Sequence, residues 1–556
     1  MELDPGGGEL TPHYYRDNFL LLCATVERQY GDLLTAQELD WLALFRGLEF
    51  TAQCLYVRLV SRVGPWFRES KLAYPELGPL ATAIDLLLQQ ELVVAAHELA
   101  VEELGPLFTR PELEAAFAAQ LSGPRAAGKS ALLAAIEDLH HSPRALRKAL
   151  VTVDVGRIIT PQAAELVELL QLLFFGNRHQ SLTEFVLTDL GITSYYPYSL
   201  DRAHRLFPNR QAVDEYLACA TCSDSWYQLR EAGDGDGLVD LAQEMLSAEI
   251  RFPSSAPRWH RLCNELARDL ERLGELDLAS QLYQRSERHP ARERRARVLE
   301  AQGDWAGAAC ICEQILASPW GEEEAEAAGR ILARARRHLG GDKQARRRDA
   351  FARINLVLPA GPEAVEIKAA QQLVQQWRSV HYVENQLMNS LFGLAFWEQI
   401  FAPLPGAFHN PYQSVPADMY EAEFRTRRQP QLKERLAQLR QGDIRRQLLD
   451  AYRQYSSFQC HWVNTRYIDA DLVDATLAVV PADHLLAIWE RMLFDPRENR
   501  RGFPDLIALG ERAGDYCLIE VKGPGDALQD SQKRWLRFFA QHGIPATVAW
   551  VEWGND

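Results

Sequence analysis

Gly502-Phe-Pro-Asp505-Leu-Ile-Ala-Leu509 and Asp515-Tyr-Cys-Leu-Ile-Glu520-Val-Lys522-Gly523 decide how this 556-residue chain is read. Two short apolar runs joined by Gly510-Glu-Arg-Ala-Gly514 predict adjacent strands with a turn between them. Asp505 closes a Pro-Asp step at the start of the first strand. Glu520 and Lys522 stand two apart on the second, so their side chains leave the same face. Two acids and a lysine there are the set that metal-assisted phosphodiester cleavage requires. Carboxylates hold a hard divalent cation. The cation activates water and neutralises charge at phosphorus. The lysine positions that water or stabilises the developing charge. The alternative is a hairpin with a surface ion pair. Apolar strands make an unpaired charge expensive, which favours a functional site.

Around this stretch, composition sets bounds. Length implies several domains, and 47% apolar residues allow large cores. A net charge of −16 excludes a uniformly basic coat but leaves room for a local basic track. Nine scattered cysteines suit a reducing compartment. Cys219-Ala-Thr-Cys222 has no second pair at zinc spacing and reads as structural. The N-terminus lacks an apolar signal segment, and no apolar run approaches the ~20 residues of a membrane span. The expectation is a soluble, intracellular protein.

Upstream, Asn18-Phe-Leu-Leu-Leu-Cys23 and Trp41-Leu-Ala-Leu-Phe45 show helical periodicity. Between Leu55 and Lys71 the basic residues Arg58, Arg62, Arg68 and Lys71 alternate with aromatic and aliphatic ones. They form either a phosphate-facing track or a solvated polar face. Thr109 with Glu112 predicts a capping box. Gly123-Pro-Arg-Ala-Ala-Gly128-Lys129-Ser130 satisfies the Walker A spacing, but an Ala-rich helical run precedes it where a P-loop needs a buried strand. No nucleotide cofactor is expected. A helix-loop-helix with a basic turn instead resembles a SAP-type DNA-binding module, with Lys129 on the backbone of the DNA.

Residues 161–357 read as almost wholly helical. Gly233-Asp-Gly-Asp-Gly237 is a loop without the later ligands of an EF-hand. Leu273-Gly-Glu-Leu-Asp-Leu-Ala279 and Gln302-Gly-Asp-Trp-Ala-Gly-Ala308 are two degenerate copies of a TPR-like helix junction. Arginines crowd nearby at 292, 294, 295, 297, 334, 336, 337 and 346–348. They form a phosphate-facing track or pair with Glu293 and Glu322 to Glu324. Leu358-Pro-Ala-Gly-Pro362 reads as a linker. Glu384 opens the next apolar helix. Arg425, Arg427 and Arg428, then Arg500 and Arg501 just before the Pro-Asp step, fit a cleft that draws an anionic substrate to the acids. A helix carrying Gln532 and a strand at Ala546–Glu552 complete a small mixed sheet flanked by helices.

The whole pattern resembles the Fanconi-associated nuclease family, whose C-terminal VRR-NUC domain belongs to the PD-(D/E)XK superfamily. The resemblance rests on Tyr14-Tyr-Arg-Asp-Asn-Phe-Leu20, Trp66-Phe-Arg-Glu-Ser-Lys-Leu72, the SAP-like turn, the TPR-like junctions, Phe392-Gly-Leu-Ala-Phe-Trp-Glu398 and the two quoted strands. It implies a multidomain, mostly α protein. An N-terminal helical, winged-helix-like DNA-binding region spans 1–80, and a SAP-like module 81–150. A TPR-like helical domain spans 151–357, and an α/β PD-(D/E)XK nuclease domain 363–556. It also implies Mg²⁺ or Mn²⁺ held by Glu384, Asp505, Glu520 and the Val521 carbonyl. Lys522 would be the catalytic lysine and Gln532 the helix glutamine. The implied activity is 5′-flap endonuclease and 5′-to-3′ exonuclease action on branched or flapped DNA in interstrand-crosslink repair. DNA contacts would fall near Arg58, Arg62, Arg68 and Lys71. Arg258, Arg261, Arg292 and Arg295 are the candidates for holding a flap's 5′ phosphate. Without a Cys/His cluster at the start, ubiquitin binding is not expected, and a bacterial-type cytoplasmic member is. The alternatives are a DNA-binding scaffold with an inactive nuclease fold, a restriction-type nuclease, or a P-loop ATPase.

Overall fold

A computed structural model of the chain describes residues 12–62, 64–96, 100–117, 128–139, 156–178, 194–341 and 349–554. The chain divides into two compact units, Met1–Thr193 and Ser194–Asp556.

In the first unit, three helices follow in quick succession, Tyr14–Tyr30, Ala36–Gly47 and Phe50–Val60. The second starts where Thr35 and Glu38 cap each other's backbone N–H groups in a capping box. Phe19, Leu42, Phe45, Leu55 and Tyr56 are buried in these helices. Strands β1 (Phe67–Arg68), β2 (Val93–Ala95) and β3 (Ile158–Pro161) form an antiparallel sheet in the order β1-β3-β2. Helices beside a small antiparallel sheet bear out the winged-helix-like expectation. Strand β3 carries this sheet past the expected boundary at 150, because it is the centre of an array begun at residue 67. The Tyr56 hydroxyl also donates to the Gln162 carbonyl at 2.7 Å, fastening this late segment to the early helices. The helices Arg110–Phe117 and Lys129–Leu139 pack through Phe108, Leu113, Phe117, Leu132 and Ile136. Glu112 accepts from the Thr109 N–H at 2.8 Å, as the capping motif predicts. Lys129 opens its helix. Most of the Walker-like turn before it lies outside the described residues.

In the second unit, helices follow one another in pairs joined by short turns. Ala256–Leu273 with Leu276–Gln284, and Ala291–Ala301 with Trp305–Ala317, are the two TPR-like junctions. Gly274 and Gly303 take φ of 88° and 81°, a left-handed exit from the first helix of each pair that a side chain would strain. Residues 233–237 are also a helix junction: Gly233 ends one helix and Asp234 caps the next.

Strands β4 (Ser194–Tyr195) and β7 (Phe458–Gln459) pair with each other. The main sheet contains β5 (Arg353–Pro359), β6 (Ser379–Tyr382), β8 (Leu506–Leu509), β9 (Tyr516–Lys522) and β10 (Ala546–Gly554), in the order β5-β10-β9-β8-β6. β8 and β9 are antiparallel neighbours, as their pattern predicts, while β10 runs parallel to both β9 and β5. β5 bears on two expectations. The stretch at 358–362 is not simply a linker, since Leu358 and Pro359 end an edge strand of this sheet. The sheet of the nuclease domain therefore draws on residues before 363. Alternation sorts the two faces. Ile507, Leu509, Tyr516 and Leu518 join a large core with the helices Gln386–Ala395 and Asp530–Gln541. Leu506, Ala508, Ile519 and Val521 pack on the other side with the helix Val365–Leu373. Among the described residues no single helix is long and apolar enough to cross a membrane.

Candidate active site

The antiparallel register pairs Leu506 with Ile519, so Asp505, one step earlier, stands opposite Glu520. Both share the face of Ile507 and Leu518, as does Lys522. The acids that read as a set from their spacing are therefore cross-strand neighbours. Glu520 is 1% exposed. Its Oε1 accepts from Lys522 Nζ at 2.8 Å and from Gln532 Nε2 at 2.5 Å. Its Oε2 is buried with no partner among the described residues. Gln532 reaches it from the first turn of the Asp530–Gln541 helix, where its own Oε1 accepts the Gln529 N–H at 2.8 Å. Asp505, half-buried, turns Oδ2 to the Val521 N–H at 2.8 Å.

Burial is the first cause that raises both acids, and neighbouring carboxylates add to it. For Glu520 those are Asp505 and Glu384, and for Asp505 they are Glu366 and Glu384. Asp505 rises to about 6 and Glu520 to about 7, with the Lys522 ammonium pulling the other way in each case. One amine does not balance the carboxylates around it.

Glu384 arrives by backbone. It lies in the turn between β6 and the Gln386–Ala395 helix rather than on the helix itself. The Val383 and Glu384 N–H groups both donate to the Asp505 carbonyl, at 2.8 and 2.9 Å. Glu384 has φ 32°, a strained value for a residue with a side chain, and such strain gathers at functional sites. Its carboxylate accepts from the Tyr382 hydroxyl at 2.8 Å and from Asn385 Nδ2 at 3.2 Å. Tyr382, Asn385 and Glu366 escape a reading based on motifs. Tyr382 belongs to a four-residue strand too short to announce itself, and Glu366 raises Asp505 from a separate helix.

The acids present the donor set of a hard-cation site, with one orphaned buried oxygen and a surplus of negative charge. Among the described residues, no three Asp, Glu, His or Cys side chains are already gathered as a metal-ligand cluster. Asp505 is turned toward Val521, and Glu384 toward Tyr382 and Asn385. Like charges have reason to stand apart.

The arginines divide by the partners they hold. Arg428 is 0% exposed and gives both Nη atoms to Asp418, with Nε on the Gln399 carbonyl. Arg427 pairs with the same Asp418 at 2.6 Å. Arg292 is bidentate on buried Glu324, and its neighbours Arg294 and Arg297 hold Glu271 and Glu293. Arg68 is buried against Glu112, which also takes Lys71 at 3.1 Å. Arg58 is bonded to Glu76 and lies over the Tyr15 ring. Arg58, Arg68, Lys71, Arg292, Arg427 and Arg428 are thus each bonded to an acid of the fold. Arg258 lies half-buried over Tyr216, and Arg295 is half-buried, its Nε without a partner among the described residues. Arg62, Arg261, Arg425 and Arg501 are exposed. Arg500, half-buried, lies over the Tyr420 ring and bonds its hydroxyl and His461. Arg346 to Arg348 lie outside the described residues.

Comparison with known proteins adds three family matches: a VRR-NUC domain over 439–553, an HTH domain of FAN1 over 13–94 and a Fanconi anemia-associated nuclease SAP domain over 98–148. The chain is 36% identical over 550 residues to a Fanconi-associated nuclease 1 homolog of Pseudomonas aeruginosa, covering 98% of this chain and 97% of that one. An Arabidopsis thaliana homolog is 25% identical, over 97% of this chain and 67% of its own. A crystal structure of paFAN1 bound to 5′ flap DNA with a two-nucleotide flap and a gap superposes with a TM-score of 0.84 at 34% identity, covering 99% of this chain and 100% of that one.

Proposed function

This chain belongs to the Fanconi-associated nuclease family and is a DNA-cleaving hydrolase, and we propose that the Asp505–Glu520–Lys522 pocket is where it cuts flapped DNA. The observation that carries this is the buried Glu520 Oε2, without a partner among the described residues, beside a second acid of raised pKa. Glu520, Asp505 and Glu384, with the Val521 carbonyl, would hold Mg²⁺ or Mn²⁺. When bound, that ion supplies positive charge at the phosphorus and lowers the pKa of water.

The chain's own groups do the rest. Gln532 and Lys522 fix Glu520 Oε1, leaving Oε2 without a partner among the described residues. Lys522 orients the attacking water. The backbone bonds from Val383 and Glu384 to the Asp505 carbonyl set the third acid beside the first. Water attacks phosphorus, the bond to the 3′ oxygen breaks, and the product carries a 5′ phosphate. Half-buried Arg500 and exposed Arg501, just upstream, suit the approaching backbone. The superposed flap complex supports a 5′-flap substrate. The family supports 5′-to-3′ exonuclease action and a part in crosslink repair. A bacterial relative supports a cytoplasmic place of action.

The test is a panel of labelled DNAs with Mg²⁺ or Mn²⁺: blunt duplex, nicked duplex, 5′ flap, 3′ flap and single strand. The 5′ flap should be cut fastest, and Asp505→Ala should abolish cutting while binding in a gel shift persists. Equal cutting by Asp505→Ala would remove the site. Equal cutting of every substrate would remove the flap preference.

A further inference from the structure

The stretch Phe392-Gly-Leu-Ala-Phe-Trp-Glu398 holds none of the proposed metal ligands, yet it shapes the surface beside them. Gly393 lies in the Gln386–Ala395 helix that follows Glu384. A Cβ there would stand 2.7 Å from Val463 Cγ2 and 2.8 Å from Trp462 Cβ. The missing side chain lets the loop after β7 lie directly on the helix. Trp462, 2% exposed, anchors the contact, its ring centroid 4.5 Å from that of Phe392. From there the loop runs toward the start of the helix. The Asn464 N–H donates to Ser390 Oγ at 3.2 Å, and Asn464 Nδ2 donates to Gln386 Oε1 at 3.0 Å. Gly393, Ser390 and Gln386 are three and four residues apart, so the loop follows one stripe of the helix to within two residues of Glu384. Nearer β7, His461 bonds Arg500, just upstream of the Pro-Asp step. The loop is thus fixed to both segments that bring acids to the pocket.

Beyond Asn464 the chain makes a tight turn. The Asn464 carbonyl accepts the Tyr467 and Ile468 N–H groups, each at 3.1 Å, and Ile468 is buried again. Thr465, Arg466 and Tyr467 between them are exposed. The Tyr467 ring is 69% exposed and meets no other ring or cation among the described residues. The Arg466 guanidinium has no ion pair or hydrogen bond among them. A well-anchored turn that leaves an aromatic face and a free guanidinium in water offers one surface to a base and one to a phosphate. A base inside a duplex has both faces covered, so the ring selects a base that has left the stack.

We propose that the Asn464–Tyr467 turn holds the strand at the point of cutting. Tyr467 stacks on an unstacked base beside the scissile phosphate, and Arg466 pairs with a phosphate of the same strand. The proposal rests on the flap reading above and adds two substrate contacts to it.

The test measures binding by fluorescence anisotropy in EDTA. The ligands are a 5′-flap DNA and a series of the same DNA, each lacking one base near the flap junction. In the parent, one abasic position should weaken binding about tenfold, with little change at the others. Tyr467→Phe keeps the ring and should keep that profile. Tyr467→Ala should bind the intact flap about tenfold more weakly and show a flat profile. If it melts earlier than the parent, Tyr467→Leu, apolar but without a π face, takes its place with the same expectation. Arg466→Gln should keep the abasic profile while its dependence of log K on log salt becomes shallower by about 0.7–0.9, the value for one phosphate. A flat profile in the parent, the parent's profile in Tyr467→Ala or Tyr467→Leu, or an unchanged salt slope in Arg466→Gln overturns the proposal. Failure of the parent to cut any flapped DNA would instead overturn the functional reading, while the abasic profiles still decide the turn.

Discussion

Two sets of buried charge in the same unit are handled in opposite ways. Around Asp418 and Glu324, each buried acid meets at least one arginine in a bidentate or doubled bond. At the β8–β9 step, two acids meet one lysine, and one buried carboxylate oxygen has no partner among the described residues. Balanced burial makes scaffold. Unbalanced burial costs folding free energy, and a bound cation offsets that cost. On the function proposed above, the difference separates residues that hold the protein together from residues that act, which the sign of a side chain alone does not.

The sharpest way to break this contrast is to swap its consequences. Glu520→Gln keeps the shape and the Gln532 packing but removes the orphaned charge. Cleavage of 5′-flap DNA should fall about a thousandfold or more, with the melting temperature unchanged or raised. Arg428→Ala should do the reverse. Removing one partner of a buried pair costs about 3–5 kcal/mol, read by denaturant titration. The cleavage rate per folded molecule should stay near the parent's. If Arg428→Ala folds normally and loses DNA binding, the assignment of this arginine to the scaffold fails.

The same contrast marks where the sequence is legible and where it is not. Asp505, Glu520 and Lys522 are few, sit in or beside strands of plain alternation, and are brought together by one register. Local rules suffice for that. Arg428 and Arg425 are three residues apart in one basic run, yet one is sealed on Asp418 and the other is in solvent. Their fates depend on partners ten residues or more away, which periodicity does not report. The same reason hides β5, whose pairing with β10 joins residues nearly two hundred apart. It also hides the role of β3 in a sheet that begins at residue 67. Glu384 follows from the family resemblance, but its place in a strained turn depends on the Asp505 carbonyl, a long-range bond.

A smaller effect tests how Glu384 is held. Tyr382 is 46% exposed, and its hydroxyl donates to the Glu384 carboxylate. Burial and that carboxylate both raise the phenol, so it stays a donor across the working pH range. Tyr382→Phe should weaken Mn²⁺ binding about three- to tenfold by calorimetry, the worth of about one hydrogen bond to a charged group. Cleavage at saturating metal should change less than twofold. Unaltered Mn²⁺ affinity would show that Glu384 needs no such support.

The smallest effect concerns proton linkage in the metal-free protein. Asp505 at about 6 and Glu520 at about 7 stand above the ordinary carboxylate range of about 4. Between those limits the folded chain holds more protons than the unfolded one, so its stability falls as pH rises through the window. Above about pH 7 both acids are charged and the full penalty is present. Asp505→Asn removes one charge while leaving an oxygen for the Val521 N–H, and it also relieves Glu520. The variant should therefore match the parent in melting temperature near pH 4.5. It should pull ahead between about pH 5 and 7, and hold a lead on the order of 2 °C at pH 8. Saturating Mg²⁺ should close that lead by stabilising only the parent, since ligand binding to the folded state raises its melting point. A lead that is largest at low pH, or one that magnesium leaves untouched, would mean that the pocket's charge is balanced after all, and the contrast with Asp418 would dissolve.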